Sequence, residues 1–292
     1  MLHVVVTGTN GQLGSDFLKA LSSIYKVTSI TKENCDITDY SKLSALLNKI
    51  KPDFVINCAA YTKVDDAEVS IEECYAVNTT AVSNLARLSN EIDFTLIHFS
   101  TDYVFDSSNK EPINEDSYKN PINVYGKSKL EGEYEIIKNT KKYFIFRISW
   151  VYGLNGSNFP KTILNLAKSK KELKVVNDQI GSPTPTQLIV EVIMKILENS
   201  KTFGKKYGVY HISPNDSCSW FEVASEILDV IQNSDKFTLN KVIPVNSNEF
   251  PSPAQRPSYS FLNNKKIKDT FNIKPDNWKT YIRDYIHKSG SI

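Results

Sequence analysis

Residues 4–21, VVVTGTNGQLGSDFLKAL, place three glycines three residues apart, Gly8, Gly11 and Gly14, between an apolar run and an amphipathic one. Val4, Val5 and Val6 have the character of a short buried strand, and Phe17, Leu18 and Leu21 return at helical spacing. The stretch therefore predicts strand, glycine turn, helix. Such a turn leaves the first N–H groups of the helix uncovered, where they and the helix dipole attract phosphate oxygens. Glycines also let the chain double back tightly and let the helix pack against the strand. The common dinucleotide-binding spacing is G-x-G-x-x-G, and here the first interval is one residue longer.

The rest of the chain repeats this alternation. HVVVTG, KVTSIT, DFVINCAA, FTLIHFST, YFIFRIS and GVYHIS are short, apolar and β-branched or aromatic, whereas residues 40–50, 70–91, 128–139 and 187–200 carry apolar residues at three- and four-residue intervals. The pattern predicts an α/β fold of Rossmann type, a doubly wound parallel sheet covered on both faces. After Ser149 the strands become isolated and proline collects in SPTPT and FPSPAQRP. We therefore expect a dinucleotide-binding domain over residues 1–150, rejoined by 186–213, and a smaller interleaved C-terminal substrate-binding region over 151–185 and 214–292.

Charge and cysteines exclude several functions. Thirty-five Lys and Arg against 33 Asp and Glu give a net charge of +2, which carries no pull toward nucleic acid or acidic lipid. Cys35, Cys58, Cys74 and Cys218 form no C-x-x-C pair, and the four histidines are scattered, so no metal site is expected. A strand beginning at residue 2 leaves no room for a signal peptide, and a cytoplasmic protein acting on a small molecule is the expectation. Oligomeric state stays open, a homodimer included.

In a parallel sheet ligands bind beyond the carboxyl ends of the strands. There STDYVF supplies Ser100, Thr101 and Asp102, and NVYGKSKLEGE puts Tyr125 and Lys129 four apart, on one helical face. A lysine near a phenol stabilises the phenolate, so the Tyr125 pKa is expected to move down from about 10, as acid-base catalysis requires. At the end of the second strand, about twenty residues beyond the glycines, NAD-selective sites usually carry an acid; here stand Thr31 and Lys32, followed by Glu33. A cation there suits a ribose 2′-phosphate, so NADPH is the expected cofactor, with NADH also accepted.

These motifs together resemble the extended short-chain dehydrogenase/reductase family, whose glycine turn has the G-x-x-G-x-x-G spacing seen here. TGTNGQLG, CDITD, INCAAYTKVDDAE, STDYVFD, NVYGKSKLEGE, RISWVYG, DQIGSPT and RPSYSFL follow in the order of the family's nucleotide-sugar 4-keto reductases, across nearly the whole chain. The resemblance implies reduction of the C4 keto group of a dTDP-4-keto-6-deoxy-L-hexose, with Tyr125 as proton donor, Lys129 at the cofactor ribose and Thr101 in the family's Ser/Thr position. It implies pyrophosphate contacts from Gly11, Gln12 and Leu13, an adenine flanked by Asp36 and Ile37, a ribose and nicotinamide side lined by Ala60, Tyr61 and Thr62, and a further cofactor contact from Ala59. Thr101, Asp102 and Trp150 would face the sugar, and Arg256 the phosphates.

Competing readings accompany these. Asp36 also suits a helix cap, Trp150 also suits a core, and Glu115, Asp116, Asp65 and Asp66 have the look of solvated surface. A sugar-nucleotide epimerase and a non-catalytic relative, the regulatory subunit of methionine adenosyltransferase, share the general pattern. A dehydratase would resemble Thr-Asp-Glu where this chain has Tyr103.

Overall fold

The computed structural model describes residues 1–107, 110–203 and 206–291. In its first half β1 (His3–Thr7), α1 (Gln12–Leu21), β2 (Lys26–Ile30), α2 (Tyr40–Ile50) and β3 (Phe54–Asn57) alternate. Short α3 (Val64–Ala67) and α4 (Ile71–Tyr75) lead through one wide π turn (Ala76–Thr80) into α5 (Ala81–Ile92), then β4 (Thr95–Thr101), α6 (Val124–Asn139) and β5 (Tyr143–Ile148). The second half runs α7 (Phe159–Ala167), β6 (Glu172–Val176), β7 (Ile180–Gly181), α8 (Thr186–Glu198), α9 (Ser200–Phe203), β8 (Gly208–His211), β9 (Cys218–Ser219), α10 (Trp220–Ile231), β10 (Lys241–Val245), α11 (Lys265–Phe271) and α12 (Trp278–Lys288).

All six strand-like segments of the sequence enter one parallel sheet, ordered β2-β1-β3-β4-β5-β8, with strand order reversing between β1 and β3. That reversal opens a crevice at the carboxyl ends of β1 and β3. Alternation along the strands divides the core. Val5, Val55, Leu96 and Ile145 pack under α2, α5 and α6. Val4, Val6, Ile56, Ile97 and Phe146 join a cluster that continues through α1, α7, α8, α10 and α12. Residues 151–185 and 214–291 thus share a core with one face of the sheet, while adding two small sheets of their own, β10-β6 and β7-β9.

Asp39, not Asp36, caps α2, its carboxylate accepting from the Lys42 N–H. Glu115 departs from the solvated surface expected of it: it is buried and accepts from the His211 N–H at 3.0 Å. Among the described residues no helix is long and apolar enough to cross a membrane, and no His, Cys, Asp and Glu cluster is placed to hold a metal ion. All four cysteines are free thiols.

Candidate active site

The glycine turn explains its own spacing. Gly8 has φ +65°, and a Cβ there would fall 2.7 Å from the Ala59 nitrogen. A Cβ on Gly14 would fall 2.3 Å from the Gly8 carbonyl oxygen, so α1 could not approach the turn with any other residue. Gly11 caps α1 with no side chain over the helix end, so the N–H groups of the first turn face open space. Gln12 holds this turn against the second half of the chain, donating to the Val151 carbonyl at 3.1 Å and accepting from Asn158 at 2.8 Å.

Two cavities meet at the turn, sharing Asn10, Gly11, Cys58 and Ala60. The smaller, 310 Å³, has Gly8, Lys32, Glu33, Asp36, Ile37, Ala59 and Tyr61 on its walls. Asp36 accepts from the Thr38 N–H and hydroxyl, which folds its loop beside this cavity. Lys32 and Glu33 both reach it, Lys32 exposed and 3.9 Å from Glu73, Glu33 accepting from Asn10 at 3.1 Å. The larger cavity, 610 Å³, is lined by Gln12, Leu13 and Thr62 on one side and by Thr101, Asp102, Tyr125, Lys129 and Trp150 on the other. Between the two, residues 59–62 are pinned by Asn78, whose side chain accepts from the Tyr61 N–H and donates to the Tyr61 carbonyl. Asn78 lies in the π turn, a distortion common where a helix serves a site.

An extended dinucleotide fits this pair of cavities. The uncapped α1 terminus suits its pyrophosphate, and the buried Ser100 hydroxyl, on the larger cavity's wall, has no hydrogen-bond partner among the described residues.

At the end of β4 the Thr101 hydroxyl donates to Asp102 at 3.0 Å and accepts from the Tyr103 N–H at 3.2 Å. Burial raises the Asp102 carboxyl to about 6. The Tyr125 ring meets Tyr103 edge to face, with centroids 5.7 Å apart. Its phenol departs from the downward shift expected of it: burial drives the pKa up, against a smaller opposing effect of the Thr101 hydroxyl. The reason lies in Lys129, whose ammonium is turned onto β4. Lys129 Nζ donates to the Phe99 carbonyl at 2.7 Å and lies 3.2 Å from His98 Nε2, and burial lowers its pKa to about 8. Burial thus favours the protonated form of the phenol.

Trp150 joins the core and the cavity wall at once. It has φ +48°, packs against the main core, and stacks on Trp220 with centroids 3.5 Å apart, forming an aromatic wall of the cavity. Trp220 escaped sequence reading because nothing near it in SCSW marks a site. Arg256 lies outside the two joined cavities, in a neighbouring 930 Å³ cleft that shares Tyr103 and Trp220 with the larger one. It is bound to Asp65 at 2.7 Å, which lowers the Asp65 pKa. Asp65, expected as plain surface, is thus the partner of a site candidate.

Residues 2–290 match the family model described as RmlD substrate binding domain. The chain is 36% identical over 290 residues to a dTDP-4-dehydrorhamnose reductase of Aggregatibacter actinomycetemcomitans, covering 97% of this chain and 98% of that one. It is 37% identical over 292 residues to the spore coat polysaccharide biosynthesis protein SpsK of Bacillus subtilis, covering 100% and 99%. A crystal structure of dTDP-4-dehydrorhamnose reductase from Bacillus anthracis in complex with NADP superimposes with TM-score 0.92 at 36% identity, over 98% of this chain and 99% of that one.

Proposed function

The chain belongs to the RmlD substrate binding domain family, and from that membership we propose that it reduces the C4 keto group of a dTDP-4-keto-6-deoxy-L-hexose, dTDP-4-dehydro-L-rhamnose to dTDP-L-rhamnose, at the expense of NADPH. The observation that carries the reading is convergence: Thr101, Tyr125 and Lys129, from β4 and α6, share one cavity with the uncapped glycine turn of α1. Its relatives named dTDP-4-dehydrorhamnose reductase, and the NADP complex among them, support the same reaction.

When bound, the reduced nicotinamide supplies the hydride for the carbonyl carbon. The protein's own residues do the rest. Gly11, Gln12 and Leu13 receive the pyrophosphate on backbone N–H groups, with Gly8 and Gly14 shaping the turn, and Lys32 meets the ribose 2′-phosphate. Asp36, Ile37, Ala59 and Tyr61 bound the adenosine, while Ala60 and Thr62 bound the nicotinamide end. Tyr125 gives its phenolic proton to the carbonyl oxygen as negative charge develops there, and water reprotonates the phenolate afterwards. Thr101, released from Asp102, hydrogen-bonds the same oxygen. Lys129, on the same cavity wall, meets the cofactor ribose and lends its positive charge to the phenolate left behind. Trp150 covers the sugar and Arg256, swung from Asp65, the diphosphate. We assign residues 1–150 with 186–213 to the cofactor, 151–185 and 214–292 to the substrate, and the protein to the cytoplasm.

The test is loss of NADPH absorbance on adding dTDP-4-dehydro-L-rhamnose. The wild type should oxidise the cofactor, and Tyr125→Phe should slow turnover by roughly two to four orders of magnitude with cofactor binding retained. No oxidation by the wild type refutes the reaction; near-normal turnover by the variant refutes the proton donor.

A further inference from the structure

One buried polar row is not used by the chemistry above. Thr7, Asn57 and His98 stand in register across β1, β3 and β4 and are 0%, 1% and 1% exposed. They occupy the sheet face that one pleat earlier carries Val5, Val55 and Leu96. Apolar residues would serve packing there, and burying three polar groups is costly unless they are paired. They are paired in sequence: Thr7 Oγ1 to Asn57 Oδ1 at 2.6 Å, Asn57 Nδ2 to His98 Nδ1 at 3.0 Å, and His98 Nε2 to Lys129 Nζ at 3.2 Å. The row begins beside the glycine turn, where Thr7 also accepts from the Ala59 N–H, and ends on the lysine of the site.

We propose that His98 is a positioning residue for the reduction, the acceptor that with the Phe99 carbonyl fixes the Lys129 ammonium, and that Asn57 and Thr7 decide which nitrogen of its ring is bare. The proposal rests on the role given to Lys129 above. An ammonium only donates, so beside it Nε2 must be unprotonated and the ring proton must sit on Nδ1. That proton needs an acceptor, and Asn57 supplies one when its amide oxygen faces the ring and its NH2 faces Thr7. The structure has the amide the other way round, with Thr7 donating to Oδ1 and the NH2 facing Nδ1; the ring proton then sits on Nε2, an arrangement that only the neutral amine can accept. The two amide orientations have one shape, so the same heavy-atom row serves both charge states of Lys129. With two of its three protons held by Phe99 and His98, the ammonium keeps the third for the cavity.

The remaining titratable neighbours do not replace His98. Tyr125 and Glu133 lie on either side of Lys129 on α6, and Cys74 faces it from α4. Glu133 is taken bidentately by Arg147 of β5, at 2.9 and 2.6 Å. Cys74 is a thiol whose pKa burial raises.

Steady-state turnover of the wild type comes first, since its absence refutes the reductase reading and not this one. In an active enzyme His98→Leu should lower kcat about 10- to 100-fold, as small misplacements of catalytic groups do, and leave the KM for the nucleotide sugar within about twofold. The alkaline limb of kcat should move to lower pH, because an ammonium stripped of an acceptor loses its proton more readily. His98→Gln, which keeps an acceptor, should recover most of the rate and the limb. Equal rates and pH profiles in the two variants overturn the proposal. Nitrogen-15 spectra of histidine-labelled wild-type protein read the ring directly, whatever the turnover and whether or not the leucine variant folds. A bare His98 Nε2 near neutral pH, with a change of tautomer at alkaline pH that Lys129→Met abolishes, is the expected result; a protonated Nε2 near neutral pH overturns the proposal.

Discussion

Replacing Glu133 by glutamine removes one charge from a pair that is 1% exposed on both sides. Arg147 would keep its contacts with the Glu115 carbonyl at 2.8 Å, His211 Nε2 at 3.4 Å and the face of Phe105, but none of these is an anion. A buried ion left without its partner typically costs about 3–5 kcal/mol, and the residual amide contact places the expected loss near the lower end. For a chain of 292 residues the unfolding entropy at the midpoint is about 0.6 kcal/mol per degree, so Tm should fall by roughly 5 °C. Thermal melts followed by far-ultraviolet circular dichroism, wild type and variant side by side without cofactor, measure this. The companion variant Glu133→Leu/Arg147→Met removes both charges and should lose less than the single change, because apolar side chains repay the space without desolvation. A single-variant loss below about 2 °C, or a double variant worse than the single, would refute the reasoning.

Trp150→Ala opens the aromatic wall and should raise the KM for the nucleotide sugar roughly 3- to 10-fold, leaving that for NADPH unchanged; a drop in Tm with unaltered substrate KM would mean that the stack on Trp220 is purely structural. Lys32→Ala should raise the KM for NADPH up to about fivefold, the reach of an exposed charge, and leave NADH kinetics alone, an effect that added salt should mimic in the wild type. If NADH suffers equally, Lys32 does not meet the 2′-phosphate. Burial raises the Asp102 carboxyl to about 6 from 3.8, so the folded state binds the proton more tightly than the unfolded. The stability this contributes is complete below about pH 4 and lost as pH rises through 6. Wild-type Tm should therefore decline relative to Asp102→Asn across that interval, and parallel pH curves would contradict the assignment.

What the sequence disclosed follows from how local each signal is. All six sheet strands and α2 were readable because their apolar periodicity is contained within a few residues, and Gly8, Gly11 and Gly14 because a turn is a local event. Tyr125 and Lys129 showed themselves by an i, i+4 spacing. What stayed hidden depends on distant partners. Glu115 was expected in water, yet it closes on His211, nearly a hundred residues away. Asp65 acquires meaning only from Arg256, and Trp150 from Trp220. The direction of the Tyr125 shift was missed for the same reason: helical spacing puts Lys129 beside the phenol, but β4 offers its ammonium a carbonyl and an imidazole that no pattern on α6 announces.

Helix α6 draws these observations into one physical argument. Tyr125, Lys129 and Glu133 recur every four residues, so they form a single stripe, buried at Lys129 and Glu133 and opening onto the cavity at Tyr125. An apolar stripe can slide along a sheet at modest cost, since one methyl group packs much like another. A stripe of phenol, ammonium and carboxylate cannot. Its partners are fixed in order, Thr101 at the end of β4, His98 and the Phe99 carbonyl behind it, and Arg147 on β5. Displacing α6 by one turn, about 5.4 Å, would set Lys129 where Tyr125 or Glu133 belongs and leave Arg147 without its anion. Each such mismatch strands a buried charge, at a cost of several kcal/mol. The pair at Glu133 and the hydrogen bonds at Lys129 therefore fix the axial position of the helix, and with it the height of the Tyr125 hydroxyl above the sheet, to within the length tolerance of a hydrogen bond.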